Sequence, residues 1–109
     1  MHILEEHRSP DGLLKLLIGQ SDNGDITLGF DGFAWHTHAD ILASHSGLSE
    51  TVAVKRFVDD LLNSKAIIAV ARTEGIIRDV WVTDAPRPDK YKPVNETLEF
   101  RYWDGRSAV

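Results

Sequence analysis

The residues in this chain best suited to chemistry lie in one short run, Trp35-His36-Thr37-His38-Ala39-Asp40, with His45 close behind. On a strand, residues two apart point the same way, so His36 and His38 project side by side and Asp40 continues the alternation. Two imidazoles so placed can share a divalent metal, with Asp40 or His45 completing an N,N,O set. The same residues also suit two other roles. The imidazoles can hydrogen-bond backbone or carboxylate groups where the strand leaves its sheet, with Trp35 packed inward. Alternatively, Trp35, His36, His38 and Asp40 can line a recognition surface, because aromatic and imidazole groups offer apolar area together with hydrogen bonds.

Other catalytic patterns are weaker or missing. Asp40, His45 and Ser46 supply the types needed for a nucleophilic triad, but there is no Gly-x-Ser-x-Gly elbow, and Ser46-Gly47 reads as the approach to a helix cap. No Gly-x-x-x-x-Gly-Lys phosphate loop or Gly-x-Gly-x-x-Gly fingerprint occurs. Glu5-Glu6 and Asp59-Asp60 are adjacent acids; neighbouring helix positions do not face each other, so they form no carboxylate pair. The chain has no cysteine, which excludes disulfides, thiolate nucleophiles and cysteine-held metal clusters. Hence no cofactor is expected.

The elements that must position these residues follow from the pattern. Residues 3–8 read as a first strand, and Ser9-Pro10-Asp11-Gly12 as a turn. Residues 13–20 form a second strand, the Asn23-Gly24 pair a hairpin turn, and Ile26–Phe30 a third strand alternating apolar with Thr27 and Gly29. Asp31-Gly32 marks a bend. The spacing over 33–43 fits an extension of that strand followed by a helical turn at 40–43.

An amphipathic helix is predicted over 49–64, capped by Ser49, with Val54, Phe57, Val58, Leu61 and Leu62 on one stripe. Residues 66–71 are continuously apolar and read as a central strand. Ile76–Thr83 and 97–103 read as two further strands, separated by a proline-bearing loop over 84–95. Residues 104–109 read as a frayed tail.

With 109 residues, 42% of them apolar, the chain has the size and composition of one folded domain over 1–109. The expected fold is α+β: about six mainly antiparallel strands, in the order βββ-α-βββ, packed on one helix. One helix covers one sheet face, so the other face is left to solvent, a loop or a partner. Parity places Trp81 beside Asp79 and Thr83, and Trp103 beside Glu99 and Arg101. A half-polar face bearing two tryptophans is a second candidate contact surface, for a partner or for another copy of the chain. The 84–95 loop folding over it is the alternative.

The net charge is −5, with no cluster of Lys or Arg, so the electrostatic footprint of a nucleic-acid binder is missing. No stretch approaches the ~20 apolar residues needed to span a bilayer. The first residues lack the basic start and apolar core of a signal peptide, which points to the cytoplasm.

The run from Ile26 to His38, a strand ending in Trp35-His36-Thr37-His38, resembles small bacterial α+β domains, some of them immunity-protein-like. The resemblance implies a cytoplasmic bacterial domain that binds a protein rather than turning over a substrate. It carries over no catalytic residues. Immunity proteins are often acidic, as this chain is. The expected function is therefore non-enzymatic binding of a partner protein. A small metal-dependent enzyme built on His36 and His38, or a homo-oligomer joined through the open sheet face, is the alternative.

Overall fold

The computed structural model describes residues 1–84 and 95–108. Its strands are β1 (His2–Arg8), β2 (Lys15–Gln20), β3 (Ile26–Phe30) and β4 (His36–His38). Two helices follow, α1 (Ala39–Ser46) and α2 (Glu50–Leu62). The chain ends with strands β5 (Ile67–Thr73), β6 (Ile76–Thr83) and β7 (Glu96–Arg101). The α+β class and antiparallel pairing match the sequence reading. The single six-stranded sheet does not. There are two antiparallel sheets, one ordered β1-β2-β3-β4 and the other β6-β5-β7.

The split resolves the shortage of cover. One apolar cluster takes Leu14, Leu16, Ile18, Leu28 and Phe30 from the first sheet region. It takes Ile68, Val70 and Val80 from the second, and Val58 and Leu61 from α2. Each sheet therefore covers the other, with α2 closing the gap between them. Burying such side chains contributes about 1.5–3 kcal/mol each. Exposed ion pairs contribute at most about 1 kcal/mol, so the core holds the fold.

Local chemistry explains the elements. Ser49 caps α2 by accepting a hydrogen bond from Val52 N–H at 3.4 Å. At the other end, Ser64 takes a left-handed conformation (φ 59°). Ser64 N–H then bonds Leu61 C=O and Lys65 N–H bonds Asp60 C=O, the pairing of a Schellman stop. Thr73 and Ile76 pair across a two-residue turn in which Glu74 and Gly75 both have positive φ (53° and 80°). That is the twist-matched hairpin turn.

Three further differences from the sequence reading have physical causes. The segment after Phe30 does not extend β3; it returns as β4, with His36 paired to Gly29 and His38 to Thr27. Gly29 permits this, because a Cβ there would lie 3.0 Å from the Trp35 carbonyl oxygen. The helical turn expected at 40–43 is a full helix, α1. In β6, Ala71 pairs with Asp79 but Arg72 with Ile77, so Arg78 is a bulge. The bulge breaks the period of two and turns Ile77 towards the core with Val80.

Residues 104–108 are not a loose tail. Ser107 bridges Arg101, Ala108 N–H bonds Phe100 C=O, and Arg106 pairs with Asp104 at 2.8 Å. The loop expected over 84–95 lies outside the described residues except at its ends, as does its packing over the tryptophans. No helix is long and apolar enough to cross a membrane among the described residues.

Candidate functional site

The two ends of the first sheet differ. At one end the β1–β2 turn is tied to the second sheet. Arg101, 3% exposed, donates from Nη1 to Asp11 Oδ2 at 2.7 Å, from Nε to Tyr102 C=O and from Nη2 to Trp103 C=O. Asp11 also accepts from the Ser9 hydroxyl at 2.7 Å and from Leu13 N–H. The Arg101 guanidinium, then the Ser9 hydroxyl, hold the Asp11 carboxyl well below the usual carboxylate range. Trp103 closes this end as part of the core.

The other end is open. Of the seven residues of β1, six are exposed and His7 is half-buried. Among the described residues the strand pairs on one edge alone, with β2, and it has an irregularity between Ile3 and Glu5. Neither of its faces is well covered. Between β1 and α2 lies a groove of about 570 Å³. Its apolar lining comes from Leu4, Ile18, Ile26, Ala39, Val54 and Val58; its polar lining is Thr51 with the charged Glu5, Glu50, Asp59 and Lys55. Ile26, Ala39 and Glu50 also line a neighbouring hollow of about 250 Å³, together with His38, Asp40 and Asp25. Groove and hollow share Ile26, Ala39 and Glu50, and together they make up the trough of the open end.

The structure divides the Trp35–Asp40 run instead of gathering it. Register puts His36 and His38 on the sheet face away from the core and Thr37, opposite Leu28, on the core side. Trp35 packs inward, its ring 5.9 Å from that of Phe30. His36 Nδ1 bonds the Ala34 carbonyl at 3.0 Å, and His38 Nδ1 pairs with the Thr27 hydroxyl at 3.2 Å. Asp40 lies in the first turn of α1 and accepts from Ile41 N–H at 2.9 Å. His45 sits in the last turn of that helix. His36 and Trp35 border a hollow over Gly29, whereas His38 and Asp40 border the trough.

The two imidazoles meet edge to face, with centroids 4.9 Å apart and planes at 83°. In each ring Nδ1 is already engaged, in His36 by the Ala34 carbonyl and in His38 by the Thr27 hydroxyl. Among the described residues, no three His, Asp or Glu side chains are grouped to hold a metal.

The tryptophan face is also divided. Register sets Trp81 beside Ala69 and Phe100 on the side of the second sheet away from the core. Trp103 lies beyond the end of β7, where strand parity no longer applies, and is only 5% exposed. It is therefore a core residue and no contact residue. Arg101 and Glu99 face the core side of their sheet, at its margin, where Glu99 pairs with Arg72 at 2.7 Å.

Sequence reasoning missed the groove residues Leu4, Val54 and Val58 as a surface. The available signal was in β1: Ile3-Leu4-Glu5-Glu6 lacks the alternation of a strand committed to one buried face.

Fold and site thus define a two-sheet α+β domain with one locked end and one open, acid-rimmed end. No family model matches the sequence, and the searches of curated proteins and of solved structures found no significant match.

Proposed function

We propose that this chain is a protein-binding domain rather than an enzyme, and that its contact surface is the trough at the open end of the first sheet. The observation that carries this reading is the groove between β1 and α2. Its apolar lining reaches core side chains such as Ile18 and Val58, yet no described element fills it. Large apolar concavities with a polar rim are where partners anchor. Leu4 at 46% exposed, Ile41 at 44% and Val52 at 50% add apolar area on the elements that frame it.

His38 and Asp40 join this surface, whereas Trp35 packs against Phe30 and Trp103 closes the locked end. Immunity-type binding of a partner protein, which the resemblance of the Ile26–His38 run suggests, is one form this takes. A cytoplasmic bacterial setting belongs to the same proposal.

Differential capture tests the reading. Wild-type chain, Val54→Glu and Leu13→Glu, each shown to be folded, are exposed to extract of the cells that make the protein. Leu13 is exposed in the turn at the locked end. A near-stoichiometric partner retained by wild type and Leu13→Glu, and lost with Val54→Glu, is the expected result. Equal capture by all three, or by none, overturns it.

A further inference from the structure

We infer that the trough takes an extended, lysine- or arginine-bearing segment of a partner protein, which adds as a new strand to the free edge of β1 and seats an apolar side chain in the groove against Leu4 and Val54. The inference rests on the binding reading above and specifies what is bound.

Three observations lead to it. First, β1 presents seven residues, a span of about 23 Å, with one backbone edge unpaired among the described residues. An unpaired edge is a template for another strand. β4 is an edge too, but it has only three residues and runs straight into α1. Second, Leu4 and Glu5 of β1 line the groove, so a strand added at that edge turns a core-side side chain towards the groove's mouth, between Leu4 and Val54. Backbone pairing and side-chain seating are then satisfied by the same segment.

Third, the charges select the occupant. Glu5, Glu50 and Asp59 line the groove against Lys55 alone, and Asp25 and Asp40 continue the acidic rim along the hollow. Glu50 and Asp59 make no ion pair among the described residues. A cationic segment is attracted along its whole length. A second copy of this chain is disfavoured: antiparallel pairing of β1 with itself about Glu5 sets Glu5 against Glu5, within a chain of net charge −5. The irregularity after Ile3 and the inward-facing Glu5 guard the edge against identical strands while leaving it open to a basic one.

The test uses the full chain and a displayed library of random peptides, selected in parallel against wild type and a Glu50→Lys, Asp59→Lys double variant. Expected are enriched sequences with several Lys or Arg flanking apolar, β-branched residues. A synthetic representative should bind wild type about tenfold or more tighter than the double variant, and lose affinity as salt rises. Its binding should slow amide exchange across His2–Arg8. Enrichment of neutral or acidic peptides that still protect β1 overturns the cationic assignment but leaves the binding domain standing. No enrichment, or protection confined to other elements, overturns strand addition. A dimer of the chain alone with protected β1 amides assigns the edge to a second copy and equally overturns it. The capture experiment decides the wider reading independently of all these outcomes.

Discussion

The locked and open ends of the first sheet are built from similar materials to different effect. At the locked end an acid meets a buried arginine, and a tryptophan fills the space between the sheets. At the open end Glu50 and Asp59 make no ion pair among the described residues, and the apolar lining is left accessible. A carboxylate given a buried partner ties elements together; carboxylates left on a rim around apolar surface remain available to something outside the chain. Stability and recognition are thereby separated along one sheet, and substitutions at the two ends should separate in the same way.

The largest stability loss is expected in the core shared by both ends. Leu61→Ala, at a fully buried position, should cost about 2–5 kcal/mol, read from urea denaturation. Asp11→Asn should follow at about 2–3 kcal/mol, because it leaves the Arg101 guanidinium buried without its counter-charge. That cost should depend on pH. The folded-state pKa of Asp11 is depressed, so its contribution is fully present above the unfolded value near 4 and is lost as pH falls below it. The gap between wild type and Asp11→Asn should therefore be full at neutral pH and shrink under acid. A gap that widens on acidification would contradict the assigned ion pair.

The open end should respond little in stability and strongly in binding. Val54→Ala, on a partly buried groove position, should cost less than about 1 kcal/mol. Glu50→Lys should leave the midpoint within about 0.5 kcal/mol of wild type while weakening partner capture. Smallest of all, Ser64→Gly should stay within about 0.5 kcal/mol of wild type, since glycine adopts the left-handed helix stop without strain but loses the bond that the Ser64 hydroxyl accepts from Asp104 N–H. Excess zinc should leave the melting temperature of wild type and of His36→Ala alike unchanged, because no third ligand is grouped with the two imidazoles among the described residues.

Much of this architecture was legible in the residues, and what was not has identifiable causes. The stripe Val54–Leu62 and the alternation of Ile26–Phe30 announced a helix and a strand, because a single buried face imposes its period. The division into two sheets was hidden, since alternation reports which residues share a face but not which sheet that face belongs to. Arg78 and Trp103 defeated the parity argument in two ways, one by bulging within a strand and the other by lying beyond its end. The Trp35–Asp40 run drew notice for its side-chain types, but their chemistry is spent on neighbours such as Ala34, Thr27 and Phe30. The groove was quieter. It arises where β1 overhangs α2, and no spacing within either element records that relation.

The account turns on which surface meets the partner, and a positional photo-crosslinking scan in the producing cells measures this directly. A photoreactive residue is placed in turn at Leu4 beside the groove, at His36 on the outer face of the first sheet, and at Trp81 on the outer face of the second. The account predicts one discrete heavier adduct from Leu4, abolished by adding Val54→Glu, and none from His36 or Trp81. An adduct arising from His36 or Trp81 while Leu4 stays silent would contradict it.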